Sequence, residues 1–168
     1  MEIFLLRHGQ AVQRGTPGFE DDAARPLTPK GRKQLKRVTR AMVAMGLEFD
    51  LLLTSPLLRA RETAEVVATV LKAGKRLQTC EALSADREPA ALIRALQRLK
   101  PVPESLLLVG HEPFLSRLIS QLVTGGPDLE MDFPKAGLCK LKLEKWHAGK
   151  CARLAWLLTP QQMKRMRG

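Results

Sequence analysis

Three short apolar runs, each ending in polar or charged residues, constrain this chain most. Ile3 to Leu6 leads into Arg7-His8-Gly9. Asp50 to Thr54, centred on Leu51-Leu52-Leu53, leads into Ser55-Pro56. Leu106 to Val109 leads into Gly110-His111-Glu112-Pro113. A short apolar run without alternation describes a strand covered on both faces. Helical patterns lie between the runs. Thr28-Pro29 starts one, with Thr28 as N-cap and Pro29 in the first turn. Leu35, Val38, Met42 and Met45 follow at helical spacing, and Gly46 fits the end. Ser55-Pro56 opens a second helix with Ala60, Ala64, Val67 and Leu71 as its buried stripe. A third follows Pro89 with Leu92, Ile93, Leu96 and Leu99, and a fourth carries Leu115, Leu118, Ile119 and Leu122 up to Gly125-Gly126.

The pattern then changes. Cys139, Leu141 and Leu143 alternate with Lys140, Lys142 and Glu144, as a half-exposed strand requires. Arg153 to Leu158 reads as its antiparallel partner across a turn at His147 to Lys150, and the basic tail from Gln161 reads as a short or frayed helix. Residues 10 to 26 lack periodicity and read as a long loop. Alternating strands and helices predict an α/β fold: three layers, α/β/α, a mainly parallel central sheet, and a late antiparallel hairpin at its edge. The 168 residues suit a single domain, 1–168. No apolar run approaches the roughly 20 residues of a membrane helix, and the N-terminus lacks the basic leader of a signal peptide. Three cysteines without paired spacing predict reduced thiols and a cytoplasmic setting. The net charge of +11 admits nucleic acid, an acidic membrane surface or an anionic substrate and acidic partner.

In sheets of this kind ligands bind at the carboxyl ends of the strands. If the three strands are neighbours, Arg7, His8, Arg59 and His111 share one crevice. Helix N-termini after Ser55 and Glu112 add positive dipole ends there. Guanidiniums suit a tetrahedral oxyanion, and a neutral imidazole nitrogen is a competent nucleophile toward phosphorus. A single histidine after a strand is more often a polar core or surface residue. Two of them, each at a strand's carboxyl end, point to phosphoryl transfer through a phosphohistidine.

Four ordered motifs sharpen this reading. LLRHGQA (5–11), RPLTPKG (25–31), TSPLLRARETAE (54–65) and LLVGHEP (107–113) resemble those of the histidine phosphatase superfamily, the phosphoglycerate mutase-like enzymes. The short chain and the wording around RHG, RPLT and SPLLRA are most similar to the SixA-type phosphohistidine phosphatase branch. The resemblance implies His8 as nucleophile, Arg7 and Arg59 as phosphate clamps, and His111 as the second histidine on the phosphoryl group. Arg25 resembles a further substrate-pocket arginine, and Asp22 in the adjoining loop is a substrate-binding candidate. Arg61, two residues beyond Arg59, falls on a different helix face and serves as an internal control.

Larger members place an acidic general acid inside an insertion after the second helix. Here that region is short, with Glu81, Asp86 and Glu88 as unaligned candidates. A phosphohistidine substrate tolerates this, because its leaving imidazole has a reference pKa of about 6.5, whereas an alkoxide needs a proton donor. The expected function is therefore hydrolysis of phosphohistidine on a phosphotransfer domain or phosphocarrier. The alternatives are a phosphatase or mutase of small phosphate esters and, third, a basic nucleic-acid module. His8, His111, His147 and the cysteines have no close-set ligand spacing, so neither metal nor organic cofactor is expected.

Overall fold

The computed structural model describes residues 1–146 and 149–166. Its centre is a six-stranded sheet: β1 (Glu2–Arg7), β2 (Leu51–Thr54), β3 (Leu77–Thr79), β4 (Ser105–Gly110), β5 (Leu138–Leu143) and β6 (Ala152–Leu158), in the order β3-β2-β4-β1-β5-β6. The first four strands in that order run parallel. β5 is antiparallel to β1, and β6 to β5, so the expected hairpin forms the edge. Three apolar runs thus become the adjacent strands β2, β4 and β1.

Among the described residues, five α-helices cover the sheet: α1 (Pro29–Ala44), α2 (Leu58–Val70), α3 (Pro89–Gln97), α4 (Phe114–Thr124) and α5 (Pro160–Arg165). The apolar runs are unbroken because both sheet faces are buried. Phe4, Leu6, Leu52, Leu107 and Val109 join α1, α2 and α5 on one side. Ile3, Leu5, Leu53, Leu106 and Leu108 join α3 and α4 on the other. Truncating a fully buried leucine such as Leu6 or Leu52 to alanine costs about 2–5 kcal/mol.

The RPLTPKG motif has a local physical reason. Thr28 caps α1 by accepting from the Gly31 amide at 3.0 Å, and Pro29 takes the first turn. A Cβ at Gly31 would fall 2.1 Å from the Gln10 carbonyl oxygen, so only glycine lets α1 approach the chain after β1 this closely. Gly46, at φ +67, ends the helix as expected.

Several expectations are corrected. β3 was not foreseen, because three residues carry no period and are held only by pairing with β2. α2 does not open at Ser55-Pro56 but starts at Leu58, after Leu57. The Ser55 hydroxyl is engaged elsewhere, as described below. Leu71 and Leu99 lie just beyond their helices. The loop of residues 10 to 26 contains a 3-10 turn, Asp22–Ala24, and is closed by a bridge between Ala11 and Leu27. His147, placed by sequence in the hairpin turn, lies outside the described residues.

Candidate active site

Register brings the two histidines together. Arg7 of β1 pairs with Gly110 of β4, so the next residues, His8 and His111, leave the sheet side by side. The His8 amide donates to the Gly110 carbonyl at 3.0 Å. The two rings lie 5.1 Å apart between centroids, and both are buried. Arg59 enters from the first turn of α2, behind the end of β2.

The hydrogen bonds assign the nitrogens. His8 Nδ1 lies 2.7 Å from the Gly9 carbonyl oxygen. A carbonyl only accepts, so Nδ1 carries the proton and Nε2 keeps its lone pair. Burial pushes the His8 pKa down to about 3, the charges of Arg59, Arg7 and Lys135 push the same way, and the Gly9 bond opposes them. His8 is therefore a neutral imidazole at pH 7.

His111 also falls to about 3, by burial first and then by His8 and Arg59. Its Nε2 lies 2.7 Å from Ser55 Oγ, which also accepts from the Leu57 amide at 3.3 Å. Ser55 is fully buried. When its hydroxyl donates to Nε2, the His111 proton sits on Nδ1.

Asp22 is a hub for arginines. Arg59 donates to the Asp22 backbone carbonyl at 2.7 Å and to Oδ2 at 3.0 Å, while Arg25 Nε donates to Oδ1 at 3.0 Å. Burial alone would raise the Asp22 carboxyl, but the Arg25 hydrogen bond and the Arg59 charge outweigh it and the pKa is lowered. Arg25 also donates to the Val12 carbonyl, and Arg7 to that of Phe133, both at 2.6 Å. Burial lowers the pKa of Arg7, opposed by Glu112, and that of Arg59, opposed by Asp22. Among the described residues, the buried side-chain nitrogens and oxygens without a hydrogen-bond partner are Arg7 Nε, Arg59 Nε and His111 Nδ1. Buried polar atoms are normally paired, so three exceptions on three residues gathered around His8 call for a reason.

Two contributors went unread in the sequence. Thr63 Oγ1 accepts from the Gly9 amide at 3.1 Å and donates to the Arg59 carbonyl at 2.7 Å, tying the His8 loop to α2. The Ala136 amide donates to the Arg7 and His8 carbonyls, which sets exposed Lys135 next to the site. Neither stands in a spacing pattern that a sequence reading would select. Arg61 is exposed, as the control requires. Of the acid candidates, Glu88 pairs with Arg117 and Glu81 is exposed. Asp86 lines a cavity of about 390 Å3 with Asp22, Pro56 and Leu57. Among the described residues, no group of three His, Cys, Asp or Glu side chains is placed to hold a metal ion.

A model of the histidine phosphatase superfamily (branch 1) matches residues 3–85. An uncharacterized protein of Picosynechococcus sp. is 36% identical over 143 residues, 84% of this chain and 85% of that one. The chain belongs to the histidine phosphatase superfamily and is a phosphatase. Within that class it is similar to the phosphohistidine phosphatase SixA of Escherichia coli, at 27% identity over 126 residues, covering 74% of this chain and 76% of that one. The solved structure of the protein histidine phosphatase SixA complexed with tungstate matches at a TM-score of 0.83 and 25% identity, covering 98% of this chain and 100% of that one. The family match stops before His111, while the structural likeness covers nearly the whole chain.

Proposed function

We propose that residues 1–168 act as one domain that hydrolyses phosphohistidine on a protein, a phosphotransfer domain or phosphocarrier, by way of a phosphorylated His8. The observation that carries this is the set of unpartnered buried nitrogens, Arg7 Nε, Arg59 Nε and His111 Nδ1, beside a histidine whose free lone pair is on Nε2. Three donors around one nucleophile suit the oxygens of a phosphoryl group. The likeness to a SixA solved with tungstate, a tetrahedral oxyanion, supports the same reading.

The chemistry follows from the atoms. His8 Nε2 attacks phosphorus as the bond to the substrate imidazole breaks, and the departing nitrogen takes a proton from solvent. Water then attacks the phosphorus on His8, the Nε2–P bond breaks, and inorganic phosphate leaves. Arg7 and Arg59 neutralise the oxygens throughout. His111 Nδ1–H donates to one of them, with Ser55 holding that tautomer. Asp22 is a positioning residue: its carboxylate repels phosphate but anchors Arg59 and Arg25. Arg25 sits behind it as a second support of the pocket. Cys80 and Cys139 are free thiols, which supports a reducing, cytoplasmic setting.

The second reading is a small phosphate ester. It is favoured by Asp86, whose cavity adjoins Asp22 and would let it protonate an alkoxide. One experiment separates the two. Phosphate release is measured from a phosphohistidine protein and from phosphate monoesters, with chelator present, for wild type, His8→Ala and Asp86→Asn. The proposal expects turnover of the protein that vanishes in His8→Ala and survives in Asp86→Asn. Fast monoester turnover that collapses in Asp86→Asn selects the ester reading.

A further inference from the structure

We propose that the exposed basic stripe of α1 is the docking surface for the protein delivering the phosphohistidine, and that this partner presents an acidic face; the proposal rests on the phosphohistidine-protein reading above. The 16 residues of α1 contain six cations, Lys30, Arg32, Lys33, Lys36, Arg37 and Arg40, and no aspartate or glutamate. Among the described residues, only Arg32 of these six forms an ion pair, with Glu62 of α2. Lys33, Lys36, Arg37 and Arg40 are exposed and spaced i, i+3, i+4 and i+7, so they form one stripe about 10 Å long. Like charges at these spacings work against the helix. By contrast, α2 mixes Arg61 with Glu62 and Glu65. The stripe therefore carries a folding cost that no ion pair among the described residues offsets.

Its position says what it faces. The first turn of α1 is fastened to the loop that follows the nucleophile: the Thr28 amide donates to the Gln10 carbonyl at 2.9 Å, two residues after His8. Leu35, on the buried side of α1, is close enough that a Cβ at Gly9 would meet it at 2.6 Å. A protein interface of standard size covers about 800 Å2 per partner, roughly 30 Å across. The stripe begins five residues beyond Thr28, about 7.5 Å along the helix, so a protein seated over His8 can extend its contact onto it. α5 packs against α1 and extends the basic face with exposed Lys164 and Arg165. The loop beside the site carries exposed Glu20 and Asp21 instead. Attraction to the helix and repulsion from the loop orient an acidic partner as well as drawing it in.

The test uses the full chain and its Lys36→Glu/Arg40→Glu variant. Two probes are compared: a phosphohistidine-bearing phosphotransfer protein of net negative charge, and a short uncharged peptide carrying phosphohistidine. The expected result is that kcat/KM on the protein falls about tenfold at low ionic strength and loses most of its salt dependence, while that on the peptide is unchanged. Binding of the unphosphorylated protein, followed by fluorescence anisotropy, is expected to weaken in parallel. Equal binding by both enzymes overturns the docking surface. So does a 20-base-pair DNA duplex that the variant no longer retains while it still binds the protein normally, since the stripe then belongs to nucleic acid. Failure of wild type on every phosphohistidine probe is a separate result. It removes the phosphohistidine reading, and the binding measurement then decides the surface.

Discussion

The ends of β1 and β4 are near-twins with opposite assignments. They are adjacent parallel strands in register, each followed by a buried histidine with its pKa pushed down to about 3. Burial and charge do not distinguish them. The hydrogen-bond partner does. At β1 a backbone carbonyl holds Nδ1, which puts the proton there and leaves the Nε2 lone pair free, as the proposed nucleophile needs. At β4 a serine hydroxyl meets Nε2, which permits the proton on Nδ1 and makes the ring a donor. A carbonyl dictates a tautomer; a hydroxyl can be satisfied either way. The β1 histidine is thus locked by the main chain, and the β4 histidine depends on one side chain.

The largest expected effect breaks the twinning outright. His8→Gln should lower kcat by about 10^4-fold or more, because no nucleophile is left. His111→Gln keeps an amide donor and should lose about 10^2–10^3-fold, the scale of one misplaced transition-state donor. Quenched-flow trapping of acid-labile phosphate on the protein should find it in His111→Gln and not in His8→Gln. Equal losses would show that the two rings do not divide the roles.

Next comes Ser55→Ala, which should lower kcat about tenfold with KM nearly unchanged, while Ser55→Thr restores part of it. Nitrogen NMR of the rings should show His111 shifting toward the Nε2–H form and His8 unmoved. A His111 tautomer that ignores Ser55 ends the comparison in its present form.

The pH response treats both ends alike. Each ring is neutral in the folded chain down to about pH 3, whereas an unfolded histidine takes a proton below about pH 6.5. The unfolded state then binds more protons, so stability is present above pH 6.5 and falls as pH drops toward 3. Urea melts at pH 7 and pH 5 should show the loss, and the ring signals of both residues should stay neutral at pH 5. Normal midpoints near 6.5 would contradict the burial argument. Smallest of all, Arg61→Ala should change stability by less than about 0.5 kcal/mol and leave kcat/KM alone, being exposed on the other face of α2.

Much of this was legible without coordinates, for reasons that differ by residue. Ile3 to Leu6 and Leu106 to Val109 announce buried parallel strands because both sheet faces are covered. Thr28, Pro29 and Gly46 announce the ends of α1 because caps are local chemistry. Arg7, His8, Arg59 and His111 stand at the ends of such elements and were readable as a group. Ser55-Pro56 was read as opening α2, but the helix starts at Leu58 and the Ser55 hydroxyl meets His111, a tertiary contact no local pattern shows. Asp22 was read as a substrate-binding candidate, and what no local pattern showed is that its oxygens face Arg59, Arg25 and Arg14. The short β3 escaped because pairing alone makes it a strand.

The sequence by itself determined the strand–helix alternation, the helix ends and the chemical types at each strand end, since period, capping and residue identity are local properties. Only the tertiary structure decided that β4 lies between β2 and β1, which sets His111 against His8 and Ser55. It alone set the Ser55 hydroxyl against His111 Nε2 and turned Asp22 toward Arg59. The β1–β4 and β2–β4 pairings, the His111–Ser55 bond and the Arg59–Asp22 bond join residues more than 30 positions apart, and no local pattern records them.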